Sequence, residues 1–168
     1  MQTWFVAVVK TVIGISLVGS VLVQVGMIVL GWHSLEQSPA WLGVALATIG
    51  VLGVGTLQVV GLNIWKLLTM VHSGTVFSQA AFRYVDRVIG AIGAAAMLTF
   101  SIAVVGRFAN HAVEGDEVAP GMIGLICGLA LVVAGVALVV YVMRALLSQA
   151  VALDNEASLL KSELEEVI

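Results

Sequence analysis

The chain has 168 residues, of which 61 % are hydrophobic and 10 % charged, with a formal net charge of −3 and a mean hydropathy of +1.13. A soluble domain carries about one-quarter charged residues and a disordered chain is poor in apolar ones, so both classes are excluded. Nor is there the basic footprint of a nucleic-acid binder; the composition is that of an integral membrane protein whose first partner is the lipid bilayer.

Four stretches lack Asp, Glu, Lys and Arg for long enough to cross the membrane, which takes about 20 residues at a rise of ~1.5 Å each. The first runs between Lys10 and Glu36, 25 residues, and predicts a span over 11–31. It exceeds the apolar core of a secretory signal, about 7–15 residues, and therefore reads as a retained span. His33 and Glu36 follow at its end. At this three-residue spacing imidazole and carboxylate share a helix face, a pair of zinc-ligand types, and His111 and Glu114 repeat it after the third span. Two solvated interfacial histidines explain the pattern more simply. The expectation is no metal and no cofactor, with an outward-facing metal sensor as an outlying alternative.

The second run, 29 residues between Glu36 and Lys66, predicts a span over 41–65. Gly43, Ala47 and Gly50 stripe it with small side chains, the means by which helices approach closely in lipid. Gln24 in the first span and Thr56, Gln58 and Asn63 in the second are polar groups at membrane depth. Interhelical hydrogen bonding is the expected use of Thr56 and Asn63, which share a helix face. No ionisable residue lies well inside any run, which argues against a proton-coupled pump.

In the connection 66–87, Gly74 suits a left-handed helix stop and Ser78 the N-cap of the next helix. That helix should start about ten residues before the membrane, by a rise of ~1.5 Å per residue. Arg83 and Arg87 share a face, with Asp86 beside them to pair. They read as a basic anchor at the lipid headgroups or as the contact surface for a cytosolic partner.

The third span is predicted over 88–106, with Gly90 and Gly93 as packing positions, and the fourth over 121–143. There Gly124 and Gly128 have the four-residue spacing that lets two backbones meet. Contact within one bundle is the expected use, and contact between subunits of a homo-oligomer the alternative.

After Arg144 a seam of Leu146, Ala150, Leu153, Ala157, Leu160, Leu164 and Val167 recurs in steps of four and three, the heptad spacing of a coiled coil. Glu156 and Lys161 flank it at positions that pair across a parallel dimer. The chain thus divides into a membrane domain, 1–147, and a helical tail, 148–168. The tail either lies on the bundle or membrane surface or contacts another protein; its excess of acidic side chains disfavours an anionic membrane.

Orientation follows from the basic residues, which concentrate in cytoplasmic segments. Lys10, Lys66, Arg83, Arg87, Arg144 and Lys161 fall on one side of a four-span arrangement and Arg107 alone on the other. Both termini and the 66–87 connection are therefore expected inside. The predicted fold is an all-α integral membrane protein, a four-transmembrane-helix bundle with a cytoplasmic amphipathic, coiled-coil-like C-terminal helix. No nucleophile–base constellation or phosphate-binding glycine loop appears, so no enzymatic activity is expected. Cys127, the only cysteine, has no partner for a disulfide.

Leu67 and Leu68 at the end of the second span, the stretch from Gly74 to Ser78, the Arg83 and Arg87 pair, and Ile89 with Gly90 resemble the bacterial "domain of unknown function 2975" family. The resemblance would cover nearly the whole chain and implies four spans in a bacterial plasma membrane. Because members are often encoded beside a small helix-turn-helix repressor, it also implies a regulatory pairing; it lends no catalytic residues. Members end in a short acidic-apolar tail, from which an extension to Ile168 would depart. The resulting expectation is a non-enzymatic interaction or regulatory module acting through the 66–87 connection and the tail, with Arg83, Asp86, Arg87, Leu153, Leu160 and Leu164 as contact residues. The alternative is an oligomeric transporter or channel component enclosing a path lined by Gln24, Gln58 and Asn63.

Overall fold

The computed structural model describes residues 2–36, 40–72, 79–112 and 118–166. They form four long helices: α1 (Gln2–His33), α2 (Ala40–His72), α3 (Gln79–Ala112) and α4 (Pro120–Glu166), with one short 3-10 turn, Ser34–Glu36, between the first two. Each contains an apolar stretch long enough to cross a membrane, and no strand occurs among the described residues. The protein is an all-α multi-pass membrane bundle. Each predicted span sits inside one helix, and every helix runs past it at one or both ends. At ~1.5 Å per residue α1, α2 and α3 are each about 50 Å long, well beyond a ~30 Å hydrocarbon layer.

Gln79 begins α3 nine residues before Val88, close to the expected pre-membrane start. Gly74 and Ser78, proposed to stop one helix and cap the next, lie outside the described residues. Pro120 opens α4, where its missing N–H is no loss. The carbonyl of Ala119 accepts from the amides of Met122 at 2.9 Å and Ile123 at 3.4 Å.

The helices pack in chain order: α1 on α2, α2 on α3 and α3 on α4. Among the described residues α1 approaches neither α3 nor α4, and α4 approaches α3 alone. The bundle is thus an open row of antiparallel neighbours. Buried apolar residues concentrate on α3, at Ala81, Val88, Ala91, Ala96, Ala103 and Ala109, and α4 contributes Ala130 and Ala137. Small side chains bring these helices together, as expected where lipid supplies no hydrophobic drive between them.

The small residues in contact are only partly those predicted. Gly50 faces α1 and Gly43 the turn that follows it: a Cβ at Gly43 would collide with Ser34, and one at Gly50 would lie 2.8 Å from the Met27 Sδ. At Gly90, Gly93, Gly124 and Gly128 an added Cβ would meet nothing within 4 Å. Within this chain those four glycines therefore do not serve as packing positions. The reason is helix rotation: α4 turns Ala130 and Ala137 toward the row, which leaves Gly124 and Gly128 exposed.

Candidate functional site

Antiparallel packing gathers the basic residues at one end of the row. Lys10 and Trp65 line a common groove between α1 and α2. Lys66, at the end of the uncharged run of α2, places Nζ 5.5 Å from the centre of the Tyr84 ring. Arg87, three residues along α3, sets its guanidinium carbon 5.5 Å from the same ring. A tyrosine between two cations is favoured by the negative face of its ring, and here it ties α2 to α3.

One step along the row, Arg144 of α4 meets Asp86 of α3. Its Nη2 donates to Oδ2 at 2.9 Å, and Nε lies 2.9 Å from Oδ1. The guanidinium also lies 5.5 Å from the centre of the Phe82 ring. The Nη2 bond carries the contact, and Nε, close beside the carboxylate, makes no hydrogen bond of its own. Both side chains remain partly exposed, at 30 % and 48 %, as befits the edge of the membrane.

This corrects the expectation for Asp86. It pairs with Arg144, 58 positions away, and not with the adjacent arginines. Arg87, one position on, points about 100° away around the helix, while α4 brings Arg144 up to the carboxylate. Asp86 thus locks α3 to α4, and Arg83 and Arg87 are left as the exposed cations of the expected surface.

Beyond Arg144, α4 continues unbroken to Glu166, about 33 Å at ~1.5 Å per residue. Every side chain from Ala152 to Ser162 is exposed, including Leu153 at 67 % and Leu160 at 57 %. Among the described residues the tail does not fold back on its own bundle. The backbone at Leu164 is helical, but its side chain, like Val167, lies outside the described residues.

At membrane depth the polar groups of α1 and α2 bond to one another. Gln58 donates from Nε2 to the Ser20 hydroxyl and to Gln24 Oε1, both at 2.9 Å. Gln24 returns a bond to Gln58 Oε1 at 3.4 Å and reaches the Val51 carbonyl at 3.2 Å. Asn63, buried at 7 %, donates to the Val59 carbonyl of its own helix at 2.6 Å. Thr56 likewise bonds within α2, to the Gly53 carbonyl, so the interhelical bonding expected of Thr56 and Asn63 is replaced by bonds to the carbonyls three and four residues back in their own helix.

At the opposite end Trp32, Trp41 and Phe108 are exposed, as at an aromatic belt. His33 is exposed on the last turn of α1. The side chains of Glu36 and His111, and Glu114 altogether, lie outside the described residues. Among the described residues no group of three or more His, Cys, Asp or Glu side chains converges. One contact here was not anticipated: Asn110 bonds Val118 twice, donating from Nδ2 to its carbonyl at 2.8 Å and accepting from its amide at 2.7 Å. Asn nine residues before a helix-opening Ala-Pro was the available signal.

Between α3 and α4 an open groove of about 680 Å³ is lined by Gly93, Ala96, Met97, Phe100 and Cys127, among others. Its lining is apolar.

Residues 31–168 match the family model described as "Protein of unknown function (DUF2975)". No curated protein and no solved structure matches at a significant level. The match leaves out nearly all of α1 and runs through the tail to Ile168, so the tail is within the family's extent and not a departure from it. The chain, with its four helices long and apolar enough to cross a membrane, belongs to this family.

Proposed function

We propose that this protein is a non-enzymatic interaction module of the bacterial plasma membrane. Both termini face the cytoplasm, and contact is made through the basic end of the row and the tail. The observation that carries this reading is the unbroken course of α4, which projects water-exposed leucines about 33 Å past the Arg144–Asp86 lock at ~1.5 Å per residue. Apolar side chains held in water on a rigid rod are a contact surface in want of a partner. Arg83 and Arg87 add exposed cations at its base. The bias of basic residues toward this end supports a cytoplasmic location. The family resemblance supports a regulatory role, with a helix-turn-helix regulator as the soluble partner. An interaction role is favoured over a solute path because Gln24, Gln58 and Asn63 already bond within their own hairpin.

The test compares the full chain with one truncated after Leu147, each recovered from native membranes with its bound proteins. Loss of a partner on truncation is expected, and identical partner sets overturn the role of the tail. Orientation is checked on a Cys127→Ala background carrying Ser162→Cys. A membrane-impermeant maleimide should leave that thiol unlabelled in intact cells and label it after lysis. Labelling in intact cells overturns the cytoplasmic assignment.

A further inference from the structure

The tail's apolar seam does not stop at the membrane. Carried back from Leu146 through α4 in the same seven-residue frame, it falls on Leu125, Leu129, Val132, Val136, Val139 and Met143, and all seven are exposed. In the tail the same frame takes Ala150, Leu153, Ala157 and Leu160, again all exposed. The side of α4 that meets α3, marked by Ala130 and Ala137, is turned away from this stripe. One face of α4 therefore carries an unbroken heptad seam, from within the bilayer into water, with no partner among the described residues.

Lipid suffices to cover the part of the seam inside the membrane. It cannot cover Leu153 and Leu160, and there the charge pattern indicates the occupant. Glu156 precedes one seam position and Lys161 follows another, five residues later. Five residues turn the helix by about 140°, so the two cannot pair along one helix. Across a parallel two-stranded coil they are the flanking positions that face each other, twice per dimer. In an antiparallel pairing Glu156 would instead face Glu156. Parallel is also the only alignment open to two copies inserted the same way round in one membrane.

From these observations we propose that the tail's occupant is a second copy of this chain, joined along α4 in a parallel coiled coil that begins in the bilayer and continues into the cytoplasm. The proposal rests on the reading of the tail as a contact element and names its partner. Arg83 and Arg87 lie exposed on α3, off the seam, so the dimer doubles that surface.

The experiment uses the full chain in native membranes, with Cys127→Ala and two differently tagged copies co-expressed. Single cysteines are placed in the seam (Leu153→Cys, Leu160→Cys) and opposite it (Asn155→Cys, Ser162→Cys), then oxidised. Seam positions should give a mixed-tag dimer with about five times the yield of the opposite positions. In the Leu160→Cys background, Lys161→Glu should lower the yield about fivefold by setting Glu against Glu. Adding Glu156→Lys should restore it. Equal yields at all four positions overturn the proposal, as does failure of the double charge exchange to restore pairing. If the seam cysteines join a protein of different mass, the dimer is overturned while the contact reading stands. If they join nothing, both fall.

Discussion

The two hairpins of this protein solve the same problem by different means. In α1–α2, two glutamines and a serine bond across the middle of the interface, and glycines at positions 43 and 50 let the backbones close on Ser34 and Met27. In α3–α4 the described side chains make no interhelical hydrogen bond at mid-membrane. Alanines supply the contact, and polar groups clamp only the two ends, Arg144–Asp86 at one and Asn110–Val118 at the other. A polar bond at depth has no water to compete with it but must be satisfied wherever the helix moves. Bonds at the ends leave the apolar middle free to repack. The second hairpin is therefore the one able to turn a new face of α4 to a partner without breaking a buried hydrogen bond.

The sharpest test of this contrast is steric. Gly43→Val drives a branched side chain into Ser34 and should cost about 2 kcal/mol, the usual range for an overpacked site. Gly90→Val, where nothing stands within 4 Å of the new carbon, should cost little by comparison. Reversible unfolding in mixed micelles reads both. Equal losses would mean that close approach is not what distinguishes the first hairpin.

Next in size is the polar cluster. Gln58→Leu removes its interhelical bonds and strands the Gln24 Oε1; about 1.5 kcal/mol of hairpin stability should be lost, near the upper end for side-chain bonds in membranes. Gln24→Leu together with Gln58→Leu should cost clearly less than the sum of the single changes, because each strands the other's amide. Strict additivity would show that the two glutamines do not act as a pair.

The number of helices, their approximate limits and the gathering of basic residues were legible because charge is excluded from lipid whatever the packing. The course of α4 past Arg144 was legible as well, since the heptad steps continue without a breaker. The rotation of each helix about its axis was not. A helix that is apolar on all sides carries no stripe to say which side meets protein, so Gly124 and Gly128 looked as ready to pack as Ala130 and Ala137. The partner of Asp86 was missed for a related reason. Sequence proximity points to Arg83 and Arg87, whereas the hairpin brings up Arg144, and the available signal was that both sit at the same end of adjacent antiparallel spans.

The end clamps should give the smaller effects. Asp86→Ala removes a partly exposed ion pair and should destabilise α3–α4 by about 1 kcal/mol, the upper end for such pairs. Exchanging the partners, Asp86→Arg with Arg144→Asp, should recover part of the loss. Recovery is incomplete because the new arginine, starting from α3, approaches Phe82 along its own helix and not across the interface.

The smallest effect is expected at Asn110. Its amide supplies both a donor and an acceptor to the backbone of Val118, two residues before Pro120 opens α4, and so fixes where the chain re-enters the bundle. Water reaches this end of the row, so it can replace either bond, and Asn110→Ala should cost only about 0.5 kcal/mol, the low end for a net hydrogen bond. The informative readout is local. The Val118 amide should exchange with solvent several times faster in the variant, while amides in the middle of α3 keep their rates. Asn110→Asp separates the two bonds: a carboxylate still accepts from the Val118 N–H but cannot donate to its carbonyl. If protection of Val118 survives in Asn110→Asp and is lost in Asn110→Ala, the accepting half of the clamp positions α4. Unchanged exchange in both variants would mean that Pro120 and the Ala119 carbonyl suffice to start the helix, leaving α3–α4 clamped at its basic end alone.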